Sequence, residues 1–316
     1  MNSYTPEGTL ICTERNYEHL SSVSAIERAA ERGVILESAA TLCDHELNLR
    51  VELPAGITGI IPKDEVVFAK DGEHTKDIAI LTRVGKPVSF KIIGFKSDST
   101  GRRMAILSRK AAQLECIENY IANLVPGDII PAKVTHLENF GAFVDIGCGI
   151  ISLLSIDCIS VSRISHPSER LCVGDTINVI VKSIDDKGRI YVSLRELLGT
   201  WSENAEGFSE GETVSGIIRG VENYGIFVEL TPNLAGLAEY RDNVYSGQSA
   251  AVYIKSIIPE KMKIKLIIID THDTHSYIEP LKYFINTSEV CHIDSWTYSP
   301  KSSKRRVESL FGQGYN

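Results

Sequence analysis

The chain has 316 residues, 43% of them apolar, and a formal net charge of -8. That is enough for two or three domains of ordinary size, and no window of 18 consecutive apolar residues is present to span a bilayer. Residues 1–125, 126–198, 199–206 and 207–270 each carry -2 and 271–316 is neutral, so bulk electrostatic capture of nucleic acid is excluded and any such contact must be a local face.

The opening stretch, MNSYTPEGTLICTERN, lacks the basic-then-apolar layout of a secretory signal. Seven scattered cysteines without a C-x-x-C pair read as reduced thiols of a cytoplasmic protein. Within residues 1–32, SAIERAAERG predicts a helix with a Ser24-x-x-Glu27 capping box and a stop at Gly33. Residues 33–110 alternate like strands, through GVILESAATLCDHELNLRVELPAGITGIIP and VGKPVSFKIIGFKSDSTGRRMAILSRK. A linker helix follows (111–125), with Leu114, Ile117, Ile121 and Leu124 on one face and an end at Pro126-Gly127.

Next come two near-copies. ENFGAFVDIG begins at Glu138 and ENYGIFVELT at Glu222, 84 residues later. Each sits between a Gly-Asp/Glu turn with a β-rich run and a second Gly turn followed by a V/Y-I/V-K-S-I strand. The offset falls to 73 at Gly174 and Gly247, so the second copy lacks about 11 residues between its third and fourth strands, where loop length is cheap to vary. The copies span 126–198 and 209–270, joined by 199–208, in which Trp201 is expected to pack at the joint. Residues 33–110 form a third, worn copy, with His45, Leu47 and Leu49 about where the aromatics would be. Each copy offers five short strands in some 70 residues, which suits a small closed barrel without free edges. The tail, 271–316, reads as short strands around a Pro–Lys–Ser turn. Trp296 and Tyr298 with Lys301, Lys304, Arg305 and Arg306 could serve a nucleic-acid or ribosome contact, or form a packed hairpin with a solvated basic turn.

The copy at 126–198, with FGAFVDIG, the Val-Gly-Asp turn and GRIYVSL in order, resembles the S1 RNA-binding domain, a variety of OB-fold barrel; the copy at 209–270 fits with substitutions and the one at 33–110 only in outline. ISVSRISHPSERLCVGD is similar to the segment after the third strand in bacterial ribosomal S1-like proteins. The resemblance implies a mainly β chain of three tandem five-stranded OB-fold (S1-type) barrels joined by short helices, the first degenerate. It implies single-stranded RNA as the ligand, with Phe140 and Phe143 stacking on bases and Asp185 and Arg189 contacting the strand from the turn. In the last copy Tyr224 and Phe227 keep the ring pair. Lys261 takes the Arg189 position after a one-residue gap, Lys263 adds a cation, and Ile258 replaces the aspartate. Where the family often has a histidine, 12 residues past the second aromatic, this chain has Ser155 and Glu239. The setting it implies is translation, with messenger RNA held on or near the small ribosomal subunit. A factor of RNA turnover or regulation, and a scaffold whose barrels dock proteins, are the alternatives.

The chemistry fits that implication. Every base has a π-face, and each base stacked on an aromatic is worth roughly 1–3 kcal/mol. The intervening glycine removes a side chain beside the rings and permits a bend. Lys133, Lys182, Arg219 and Lys255 are further candidate phosphate partners, although Lys182 and Lys255 read equally as solvated strand residues. Strand aromatics more often belong to a core; the repeat reverses those odds. Asp185 could equally be a turn former, and His166-Pro167 shapes a loop. Cys43-Asp44-His45 and Cys291-His292 do not supply four metal ligands at working spacing. With no phosphate loop, G-x-S-x-G or H-E-x-x-H, no catalytic residue, cofactor, metal or membrane partner is expected.

Overall fold

Short strands with one apolar face gain a common interior and lose their exposed edges only by closing on themselves. The computed structural model, which describes residues 4–54, 56–68, 76–97, 101–273 and 280–311, has three such closures. The first barrel comprises β1 (Leu36–Cys43), β2 (Leu49–Glu52), β3 (Thr58–Ile61), β4 (Pro87–Ser97) and β5 (Arg103–Ser108). The second comprises β6 (Ile129–Glu138), β7 (Gly141–Asp145), β8 (Ile151–Ser155), β9 (Thr176–Ile184) and β10 (Ile190–Ser193). The third comprises β11 (Thr213–Glu222), β12 (Gly225–Thr231), β13 (Leu234–Ala238), β14 (Ser249–Ile258) and β15 (Lys263–His272). Around each barrel the strands run first, second, third, fifth, fourth and back to the first. The third and fifth pair in parallel. A two-stranded ribbon, β16 (Ser295–Thr297) with β17 (Glu308–Leu310), follows. The mainly β, three-barrel architecture is thus as expected from the sequence.

The chain divides into two compact units. One holds Met1–Leu124 with Asp145–Ile151, the other Val125–Val144 with Ser152–Asn316. In the first unit, helices α1 (Glu14–Leu20) and α2 (Val23–Glu31) lie ahead of the barrel. Ser22, not Ser24, caps α2 by accepting the N–H of Ala25; this puts Ile26 and Ala29 into the barrel's apolar core with Leu20. The Glu37 carboxylate, fully buried on β1, accepts the N–H groups of Gly8, Leu10 and Ile11 and the Ser89 hydroxyl. It thereby ties down the leading segment.

Helices α3 (Asp77–Leu81) and α4 (Arg109–Asn119) complete this unit. The buried face of α4 is Arg109, Ala112, Gln113 and Cys116, one step round from the Leu114–Ile117 face that periodicity suggests. An ion pair decides this. Arg109 is buried against Glu7, with Nε to Oε1 at 2.6 Å and Nη2 to Oε2 at 3.0 Å. Burial pushes the Glu7 carboxyl up, but the Arg109 guanidinium, the Ser89 N–H and the Arg83 charge together hold Glu7 below its ordinary range. Asp145, beside it, accepts the N–H groups of Glu7, Gly147 and Gly149. Burial, with the Glu7 charge second, pushes its pKa up to about 7.

In the second unit the connection between β8 and β9 is longer than that between β13 and β14, and the extra chain is a brace. Val161 N–H donates to the Asn233 side chain at 2.9 Å, and Ser162 N–H donates to the Pro232 carbonyl at 3.1 Å. A short 3-10 turn (Pro167–Glu169), capped by His166, presents Glu169 and Arg170. Arg170 pairs with Glu229 of β12, and Arg219 of β11 pairs with both Glu229 and Glu169. Asn233, with no exposed surface, also donates to the Arg195 and Gly199 carbonyls, and its own carbonyl accepts the Tyr298 hydroxyl at 2.6 Å. Insert, third barrel, linker and tail therefore meet at one residue. Trp201, opening α5 (Trp201–Ala205), is buried with Trp296 and Tyr298 in the third barrel's apolar cluster. The tail is a packed hairpin with an exposed basic turn.

Buried charges leave large penalties when their partners are removed. Glu229→Ala strands Arg170 and leaves Arg219 with Glu169 alone, and a loss of about 3–5 kcal/mol is expected from urea titration, with the m-value unchanged. His292 is held above its ordinary pKa chiefly by its 2.7 Å hydrogen bond to Asp128. A raised folded-state value means that its contribution is complete below about pH 6.5 and fades as pH rises through the shifted value. His292→Gln is expected to remove that part of the decline in stability above pH 6.5.

Candidate nucleic-acid interface

Along β12, Ile226 and Val228 are fully buried, and strand alternation sends Phe227 between them to the outside. Ala142 and Val144 do the same for Phe143 on β7. The preceding aromatics, Phe140 and Tyr224, stand just ahead of these strands and are 54% and 70% exposed. Within each pair the rings meet edge to face, at 6.0 Å and 87° for Phe140 with Phe143 and at 6.1 Å and 86° for Tyr224 with Phe227. Phe227 keeps 36% of its surface and Phe143 is half-buried. Gly141 and Gly225 lie where the third strand comes closest. A Cβ at these positions would stand 2.4 Å from the Leu154 carbonyl oxygen and 2.6 Å from that of Ala238. The glycine between the rings is a packing necessity as well as a freedom to bend.

Pairing registers align the barrels without reference to sequence gaps. In the third barrel Ile254 pairs with Leu266, Ser256 with Lys265 and Ile257 with Ile264. In the second, Val181 pairs with Val192, Ser183 with Tyr191 and Ile184 with Ile190. The equivalent of Arg189 is therefore Lys263, not Lys261, because the turn before β15 is one residue longer and passes through Met262 in a left-handed conformation. The same logic sets Arg50 opposite Ile60, as Phe227 is opposite Leu237. Leu47 and Arg50 thus occupy the ring positions in the first barrel, correcting His45 and Leu49. The first barrel's ring positions carry no aromatic.

The remaining sequence candidates separate. Asp185 accepts the N–H groups of Lys187 and Arg189 and pairs with the Arg189 Nε at 2.8 Å. The Arg189 N–H is the main cause of its lowered pKa, so it builds the turn and aims Arg189. Ser155 ends β8, and its Cα faces Gly141. Lys133 lies on β6 across from Thr176. Lys182 turns to the Cys158 sulfur at 3.1 Å. Lys255, Lys261, Lys263 and Glu239 are exposed. Arg219 is not an outward cation: its side chain is 8% exposed and locked between Glu169 and Glu229.

Three residues extend the two walls beyond the sequence reading. His136 is exposed and lies 6.4 Å from Phe143, at 19° to its plane. Gly220 stands at the corresponding place in the third barrel, with nothing but the Phe227 ring beside it. Tyr191, between buried Ile190 and Val192, faces out across from Leu153, and Lys265 does so across from Leu237. The signal for the last two was the alternation in IYV and IKL; nothing in the sequence pointed to His136. Among the described residues, no cluster of three or more His, Cys, Asp or Glu side chains could hold a metal, and no helix is long and apolar enough to cross a membrane.

The chain is similar to known proteins. Residues 124–195 match the family model of the S1 RNA binding domain. Over 193 residues the chain is 34% identical to the small ribosomal subunit protein bS1 of Staphylococcus saprophyticus, covering 55% of this chain and 48% of that protein. Over 291 residues it is 28% identical to bS1 of Staphylococcus aureus, covering 86% and 71% respectively. The chain thus spans about half the length of the first of these relatives. Among solved structures, a multidomain protein with nucleic acid binding domains from Streptococcus pneumoniae is similar over 75% of this chain and 74% of its own, at 15% identity and a TM-score of 0.25. GSP13 from Bacillus subtilis is similar over 23% of this chain and 57% of its own, at 32% identity and a TM-score of 0.22.

The close approach at the inter-ring glycine has a direct consequence. Gly225→Ala pushes β12 away from the Ala238 carbonyl and is expected to cost about 1–3 kcal/mol in a thermal or urea melt, as overpacking does.

Proposed function

We propose that this chain, an S1-domain protein similar to the bacterial small-subunit protein bS1, holds single-stranded RNA on the outer walls of its second and third barrels. The observation that carries the reading is the repetition of one ring geometry, uncovered on two barrels of the same topology. Bases stack on Phe140 and Phe143, flanked by His136 and Tyr191, and on Tyr224 and Phe227. Arg189, Lys263 and Lys265 stand where the last strand meets the wall and take phosphates, with Lys261 beside them. Asp185 positions Arg189 and is not a direct contact. Ser155 lies at the edge of the second wall. Glu239, at the edge of the third, disfavours phosphate.

The first barrel, with Leu47 and Arg50 in place of rings, serves as a structural or docking module. The bS1 relatives are ribosomal proteins by name, which supports messenger RNA as the strand, the small ribosomal subunit as the partner and the cytoplasm as the place. The chain acts by binding and not by catalysis. Co-sedimentation with ribosomes separates this setting from RNA turnover, in which the protein would stay in the unbound fraction.

The test is fluorescence anisotropy with a short labelled oligouridine. Phe140→Ala with Phe143→Ala is expected to weaken binding more than Tyr224→Ala with Phe227→Ala, because His136 and Tyr191 enlarge the first surface. Each lost stack is worth about 1–3 kcal/mol. Unchanged affinity in both double variants, with melts like the parent, defeats the reading.

A further inference from the structure

The ring pair of the third barrel does not face open solvent alone. It opens into a groove of about 740 Å³ whose lining includes Tyr224, Phe227, Lys261, Lys263, Arg163 and Arg305. The rings and the two lysines come from the third barrel. Arg163 comes from the connection between β8 and β9, and Arg305 from the turn between β16 and β17. We propose that these three elements form one composite groove for single-stranded RNA, with the rings as its floor and Arg163 and Arg305 as phosphate partners on its walls. The proposal rests on the reading that the third barrel's rings stack on bases, and it adds walls from two elements outside that barrel.

Four observations carry it. The volume is in the range that encloses a drug-sized ligand, so the groove takes more than one base. Arg163, Lys261, Lys263 and Arg305 are all exposed, and among the described residues none of the four is in an ion pair. Glu222 and Arg219 also line the groove, but Arg219 is neutralised by Glu169 and Glu229. The local balance is therefore positive within a chain of net charge -8, and an aromatic floor with cationic rims is the chemistry of single-strand capture.

The walls are also held in place. Tyr298, at the base of the hairpin turn, is buried and bonded to the Asn233 carbonyl. Val161 and Ser162, next to Arg163, are bonded to Asn233 and Pro232. A groove fixed before the ligand arrives loses less entropy on binding.

The experiment uses the full chain carrying Phe140→Ala with Phe143→Ala, so that the third barrel dominates, and a labelled oligouridine titrated at several salt concentrations. Arg163→Glu with Arg305→Glu is expected to weaken binding about tenfold or more and to reduce the salt slope by about 0.7 for each phosphate no longer neutralised. Tyr224→Ala with Phe227→Ala is expected to weaken it roughly 5- to 100-fold with little change of slope. If the arginine variant matches its parent while the ring variant loses affinity, the walls are idle and only stacking stands. If both match the parent, the third barrel binds no strand and both readings fail there. Lys301→Glu with Lys304→Glu, on the same hairpin but outside the groove lining, is the charge control; a loss equal to that of the arginine variant overturns the groove in favour of general electrostatics. Unchanged melting of each variant is required.

Discussion

A strand in a closed barrel has an inside and an outside, and successive side chains must take them in turn. Everything at the candidate interface depends on that constraint. Ile226 and Val228 fill the third barrel, so Phe227 cannot; Ala142 and Val144 impose the same on Phe143. The rings are outside because their neighbours are inside, and the stability of the barrel holds them there. An outward ring that shed its exposure by slipping one residue would turn its whole strand inside out.

The same economy governs the polar groups. The buried Glu37 and Asp145 carboxyls are held by N–H donors, and the buried guanidiniums are paired with carboxylates: Arg109 with Glu7 in one unit, and Arg170 and Arg219 with Glu229 in the other. Those pairs set geometry. The first decides which face of α4 turns inward, and the second fixes the extra chain of the second barrel against the third. Length variation between the repeats, which entropy tolerates as loop, is here the means by which two barrels and the tail meet at Asn233.

Much was legible in advance because it is local. Alternation, Gly turns and a repeated ten-residue stretch indicated three five-stranded barrels and two ring pairs. Sequence alone does not choose the capping residue of α2, because both Ser22 and Ser24 are competent acceptors and only the seating of Ile26 and Ala29 selects Ser22. Sequence alone aligns Lys261 with Arg189 as readily as Lys263, because a gap in a turn can be placed on either side of it. Arg219 read as a free cation because nothing nearby in sequence reveals Glu169, fifty residues earlier, at its guanidinium.

What the amino-acid order determined unaided is therefore the set of faces: which residues of each strand lie within and which without, since a period of two needs no partner to be read. Only the tertiary structure decided what stands opposite those faces. Lys263 at the Arg189 position, His136 on the Phe143 ring, Arg219 withdrawn into a buried network and the hairpin alongside Tyr224 all follow from closure, turn length and packing. These bring together residues far apart along the chain, and no local pattern encodes them.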